Sequence, residues 1–235
     1  MCGIIGYTGS EDVKGVLLDA LELLEYRGYD SAGIALADTG LKQTKVYKCA
    51  GRVKDLRAIC ESEKLITECG IGHTRWATHG GVNDTNAHPH QVGKVTLVHN
   101  GIIENYRELI ADYELESVLK SETDSEVVAA LLNKFYTGDP DEAIKKTVSK
   151  LKGTFALVIL FEDHQGEIYS ARNVSPIVAT LCKEGAMLAS DLTALCRFTN
   201  RYFVVPEYHI LKLAKDAIVL SLIHISEPTR LQLIS

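Results

Sequence analysis

The chain opens Met1-Cys2-Gly3-Ile4-Ile5-Gly6-Tyr7, a cysteine set directly before a short apolar strand at 3–7. Removal of Met1, which the small Cys2 side chain permits, would leave Cys2 with a thiol and a free α-amine on one residue. The amine has an ordinary pKa of about 7.7–8.0 and a free thiol one near 8.5, so the amine can take the thiol proton near neutral pH. Position alone leaves a second reading open, in which Cys2 is simply a small buried residue at an ordinary N-terminus.

Behind that strand, Val13, Val16, Leu17, Ala20, Leu21 and Leu24 recur at helical spacing and predict an amphipathic helix. Ser10 is its expected N-cap, with Glu11 and Asp12 in the first turn and Gly28 as the stop. Strands are expected at 32–37, 45–49, 70–75 and 95–99. A helix at 102–113 follows. Thr123-Asp124-Ser125-Glu126 has capping-box spacing ahead of an apolar run, and Asp139-Pro140-Asp141-Glu142 opens another helix with a cap, a proline and first-turn acids. Further strands are expected at 154–161, 167–171, 177–181, 187–190, 201–205, 210–213 and 218–222. Two of them, 155–160 and 177–181, are apolar on both faces and need cover on both sides. Strands cluster at both ends with helices grouped between, an α+β order without the regular alternation of a parallel sheet. Two stacked sheets with helices outside, in one domain, satisfy these conditions.

Composition narrows the class. The chain has 235 residues, enough for one large domain or two small ones, with 46% hydrophobic and 24% charged residues. These values exclude disordered and fibrous classes. A net charge of −6 argues against a nucleic-acid binder. No apolar run approaches the roughly 18 residues of a membrane helix, and the start lacks a secretory signal, so a cytoplasmic location is expected. Cysteines stand at 2, 49, 60, 69, 182 and 196, with no C-x-x-C pair. Thiols are their expected state.

Four further features carry possible chemistry. Gly72-His73-Thr74-Arg75-Trp76-Ala77-Thr78-His79-Gly80-Gly81 leaves a strand for a glycine-flanked loop. Arg75 could grip a carboxylate through two parallel bonds, helped by the Thr78 hydroxyl, or the segment could be an ordinary polar loop anchored by Trp76. His99-Asn100-Gly101 places an amide beside a glycine N–H, which suits a developing oxyanion but equally a turn. Asp124 fits a first-turn acid or a partner for a substrate ammonium. Histidines crowd at 73, 79, 88, 90 and 99, but their spacing matches no zinc pattern such as H-E-x-x-H.

Taken together, the opening Met1–Gly6, then Glu25-Tyr26-Arg27-Gly28-Tyr29-Asp30-Ser31-Ala32-Gly33, His73–Gly80, Asn86–His90, His99–Asn105 and Ser121–Glu126 resemble the class II glutamine amidotransferases. These are N-terminal-nucleophile hydrolases, and the likeness runs from Cys2 to about residue 219. It implies an αββα sandwich that hydrolyses glutamine to glutamate and ammonia. Cys2 would attack the amide, and Asn100 and Gly101 would form the oxyanion hole. Arg75 and Thr78 would hold the α-carboxylate and Asp124 the α-ammonium. Trp76 and His79 would belong to a loop closing over substrate, and Arg27 would lie beside the nucleophile. No cofactor is implied. The branch closest in wording continues into two sugar-isomerase domains that bind fructose 6-phosphate, and its full-length members are expected to be homo-oligomers.

Two other functions compete: a metal-dependent hydrolase using the histidines, and a non-catalytic domain binding glutamine or a partner. At the far end the likeness stops. The glutaminase domain is expected to span 2–220 with the isomerase domains absent. Residues 221–235 are expected to be a non-native tail, because 223–230 is similar to translated sequencing-adapter DNA.

Overall fold

The computed structural model describes residues 2–62, 65–77 and 80–223. β1 (Gly3–Gly9) leads into α1 (Val13–Leu24), the hairpin β2 (Ser31–Asp38) and β3 (Gln43–Ala50), α2 (Val53–Cys60) and β4 (Thr67–Arg75). Next come β5 (His90–Val92), β6 (Val95–Ile103) and three helices, α3 (Tyr106–Tyr113), α4 (Asp124–Phe135) and α5 (Pro140–Val148). The chain then forms β7 (Gly153–Phe161), β8 (Ile168–Asn173), β9 (Val178–Cys182) and β10 (Gly185–Ala189). It finishes with β11 (Phe203–Val204), β12 (His209–Ala214) and β13 (Ala217–Leu222).

Two antiparallel sheets result. Seven strands run β11-β9-β10-β1-β4-β2-β3 and six run β13-β12-β8-β7-β6-β5, so β1 sits in mid-sheet between β10 and β4. The period of two along a strand divides the apolar side chains between layers. In β1, Ile4 faces the other sheet while Ile5 packs under α1. In β7, Ala156, Val158 and Leu160 face the first sheet, whereas Phe155, Leu157, Ile159 and Phe161 pack against α3–α5. Three apolar interfaces separate four layers, and that is the αββα sandwich. Each fully buried Leu or Ile contributes about 1.5–3 kcal/mol by leaving water.

β7 is buried from Phe155 to Phe161, and 177–180 is buried likewise, with Leu181 exposed. Thr123 caps α4 by accepting from the Glu126 N–H, and Asp139 caps α5 by accepting from the Glu142 N–H at 3.2 Å.

Several local expectations are corrected. Ser10 is not the cap of α1: its hydroxyl donates to Glu184 O at 3.2 Å, and Asp12 occupies the N-cap position with no acid in the first turn. α1 ends at Leu24 and passes through a 3-10 turn before Gly28, which is extended rather than left-handed. The Gly28 constraint is close approach, since a Cβ there would lie 2.6 Å from the Arg75 carbonyl carbon. The helix expected at 102–113 begins only at Tyr106, because β6 continues through Ile103 beside β7. α2 was not anticipated at all. The expected boundary after residue 220 falls inside β13, where Ser221 and Leu222 pair with Ile210 and His209. Ile223 is buried and donates its N–H to Tyr208 O at 2.7 Å. Residues 224–235 of the expected tail lie outside the described residues. No helix among the described residues is long and apolar enough to cross a membrane.

Candidate active site

Cys2 stands at the leading end of β1, where Gly3 pairs with Thr74 of β4, so its thiol lies beside the end of β4. The Trp76 N–H donates to the Cys2 Sγ at 3.1 Å, and the thiol lies 3.6 Å from Trp76 O. Asp30 secures that end of the strand from the other side. Its N–H donates to Arg75 O at 3.2 Å, and its carboxylate accepts from the Ala77 N–H and, at 3.0 Å, from the Ser31 hydroxyl. Burial pushes the Cys2 thiol up, with Asp30 adding to it, against the Trp76 N–H and Arg75, which pull it down. A thiol raised by burial needs a base to become a nucleophile.

β6 of the opposite sheet brings Asn100 and Gly101 to the same point. The Asn100 Nδ2 donates to the Cys2 carbonyl at 2.9 Å. Neither residue is in a turn. Both lie inside the strand, opposite Ala156 and Phe155 of β7, and Gly101 has φ +136°, where a Cβ would clash with the Thr154 carbonyl. Only glycine fits there without strain.

Arg75 is buried, and its guanidinium donates to Gly81 O at 3.2 Å and Gly80 O at 3.4 Å. Asp124, first residue of α4, accepts from the Ile103 N–H at 2.8 Å and from the Ser125 hydroxyl at 3.4 Å. Cys2, Arg75, Asn100, Gly101 and Asp124 all line one cavity of about 320 Å³. Trp76 also lines it while half-exposed, its ring edge-on to Tyr29 at 5.6 Å. Arg27 reaches the cavity too, but its guanidinium pairs with Asp191, whose carboxylate also accepts from the Tyr26 hydroxyl at 2.8 Å. Thr78 and His79 lie outside the described residues.

Two contributors escaped sequence reasoning. Asp30 is one, set beside a segment more than 40 residues away, although it stands within the quoted Tyr-Asp-Ser motif. Ser190 is the other: it lines the cavity and accepts from the Ile4 N–H at 2.9 Å.

Within the histidine crowd, the described members His73, His88, His90 and His99 do not form a metal site. Among the described residues no group of three His, Cys, Asp or Glu is arranged to hold an ion. His73 and His88 pack as tilted rings 4.1 Å between centroids, and His90 meets His88 edge-on at 4.6 Å. Burial pushes His88 and His90 well below their usual range.

A thiol, a side-chain amide and a cationic and an anionic side chain share one small cavity in an αββα sandwich, the layout of the N-terminal-nucleophile hydrolase fold. The model of the glutamine amidotransferase domain family matches residues 73–197, and the chain belongs to that family. It is 43% identical over 224 residues to glutamine–fructose-6-phosphate aminotransferase (isomerizing) of Bacillus subtilis, covering 94% of this chain and 37% of that protein. The corresponding protein of Geobacillus kaustophilus is 47% identical over 207 residues, covering 86% of this chain and 34% of the relative. This chain thus spans little more than a third of the relatives it matches. Among solved structures, the allosteric regulatory enzyme of purine biosynthesis superposes with TM-score 0.82 at 25% identity, over 96% of this chain and 50% of that one. Glutamine phosphoribosylpyrophosphate amidotransferase from B. subtilis, complexed with ADP and GMP, gives 0.81 at 24%, over the same shares.

Proposed function

We propose that this chain hydrolyses the side-chain amide of L-glutamine, with Cys2 as nucleophile after removal of Met1. The carrying observation is the convergence of Cys2, Asn100, Gly101, Arg75 and Asp124 on one cavity sized for a small ligand. Arg75 takes the α-carboxylate through guanidinium N–H groups that its bonds to Gly80 and Gly81 orient, and Asp124 takes the α-ammonium. The Cys2 α-amine removes the thiol proton and Sγ bonds to the amide carbon. The oxyanion so formed accepts from the Asn100 side chain and the Gly101 N–H. The proton passes from the amine to the leaving nitrogen, the C–N bond breaks, and ammonia departs from a glutamyl thioester. Water then cleaves the thioester to glutamate and restores the thiol.

Thr78 adds a hydroxyl to the carboxylate grip, and Trp76 and His79 close over the bound amino acid. Arg27, tied to Asp191, holds the cavity wall beside the nucleophile. The likeness to glutamine–fructose-6-phosphate aminotransferases supports fructose 6-phosphate as the final ammonia acceptor, bound by sugar-isomerase domains. It also supports a homo-oligomeric assembly in the cytoplasm, where the unpaired cysteines would persist. The glutaminase unit is assigned to residues 2 to about 223, because Ser221 and Leu222 pair within β13 and Ile223 is buried.

The test is ammonia release from glutamine by the chain lacking Met1, beside Cys2→Ala. A fall of kcat by more than about 10⁴-fold in the variant is expected. Equal rates would refute the thiol mechanism.

A further inference from the structure

The imidazole of His73 lies between the two sheets, 1% exposed, on the far side of Asn100 from the nucleophile. Its Nε2 sits 3.0 Å from the Asn100 Oδ1 and 3.1 Å from the His99 carbonyl oxygen. The identities of these atoms follow from elementary bonding rules. The Cys2 carbonyl can only accept, so the Asn100 atom 2.9 Å from it is the nitrogen, and the oxygen must face His73. Both neighbours of the His73 Nε2 are then acceptors, so Nε2 carries the proton. The Nδ1 of His73 has no hydrogen-bond partner among the described residues, as suits the bare nitrogen of a neutral ring. Burial pushes the His73 pKa down to about 3, against its hydrogen bonds to Asn100 and the His99 carbonyl, which act to raise it. The His88 ring packs against it, tilted by 31° at 4.1 Å between centroids.

An asparagine amide can turn over at little cost when both ends face ambivalent partners. Here a turned-over Asn100 would aim its oxygen at the Cys2 carbonyl and toward the developing oxyanion. We propose that His73 is a positioning residue of the oxyanion hole: a neutral imidazole, protonated on Nε2, that locks the Asn100 amide with its nitrogen toward the nucleophile. One Nδ2 proton serves the Cys2 carbonyl, and the other is held ready for the tetrahedral oxyanion. This inference rests on the glutaminase reading above. His73 touches no substrate atom, so its effect is on kcat and not on glutamine binding.

The experiment compares His73→Leu, which removes the donor, with His73→Gln, whose side-chain amide can present an N–H near the Nε2 position. Steady-state ammonia release, Cys2 alkylation by iodoacetamide and selective ¹⁵N histidine spectra are read for each. In His73→Leu kcat is expected to fall about 10²-fold, the scale of losing one oxyanion donor, with KM for glutamine little changed. His73→Gln should recover most of that loss. Alkylation, which passes through no oxyanion, should proceed at the wild-type rate in both. Undiminished kcat in His73→Leu, or equal losses in the two variants, would overturn the proposal. A wild-type chain that alkylates at Cys2 yet releases no ammonia would instead defeat the glutaminase reading. The spectra decide the proposal even then, and equally if His73→Leu does not fold. The backbone-assigned His73 ring of the wild type should show the neutral Nε2–H tautomer at neutral pH. An Nδ1–H tautomer or a charged ring there would sink it.

Discussion

Cys2, His73, Asn100 and Gly101 stand on or directly before ladder-bonded strands, with His73 buried between the sheets and the other three at the cavity. Trp76 and Ala77, in contrast, and Gly80 and Gly81 beyond them, lie past the end of β4, outside any strand or helix, and the Trp76 indole is half in solvent. The two regions divide the work. Reacting atoms need positions held within fractions of an ångström, which strands locked by ladder bonds and packing provide. A substrate must also enter and leave, and residues outside the ladders, such as Ala77 held by Asp30 and Gly80 and Gly81 held by Arg75, can adjust around it. The strand-borne half should therefore govern kcat and the residues past β4, with Asp124, should govern KM.

The division can be broken in order of size. Asn100→Ala removes a strand-borne donor and should lower kcat about 10²- to 10³-fold with KM nearly constant. A rise in KM at constant kcat would place Asn100 among the gripping groups instead. Asp124→Asn keeps an acceptor for the Ile103 N–H but loses the charge, so KM for glutamine should rise roughly 10- to 100-fold, the scale of a hydrogen bond to a charged group. Its stability should drop by only about 0.5 kcal/mol, the value of an acid in a first helical turn. Steady-state kinetics and denaturant melts measure both. Trp76→Ala is the mildest: stability should stay within about 0.5 kcal/mol, as for an exposed side chain, with a few-fold rise in KM. A large loss of kcat there would mean that the residues past β4 take part in the chemistry.

The layered fold was legible because its cores obey simple periods. The stripe from Val13 to Leu24 is a buried helix face, and the apolar run of β7 is a strand covered on both sides. Thr123 and Asp139 likewise announce α4 and α5. What failed was decided by partners distant in sequence. Ile102 and Ile103 read as the start of a helix, yet β7 extends β6 through them. Asn100-Gly101 is a common turn pair, but pairing with Ala156 and Phe155 keeps it in a strand. α2 buries only Val53, Leu56 and Cys60 among charged neighbours, too short a stripe to stand out. Ser10 looks like a cap, but the Glu184 carbonyl reaches its hydroxyl. The likeness to a family identified Cys2, Arg75, Asn100 and Asp124, and each lines the cavity. Asp30 and His73 act through other residues, across the sandwich or beside the end of β4, and no local pattern marks such a role.

The central claim is that Cys2, freed of Met1, carries the acyl group. Rapid acid quench of the chain during glutamine turnover, followed by peptide mass mapping, tests it most directly. The expected result is an N-terminal peptide that begins at Cys2 and carries one glutamyl group, absent when glutamine is omitted. A glutamyl group on any other residue, or steady ammonia release from a chain that retains Met1, would contradict the account.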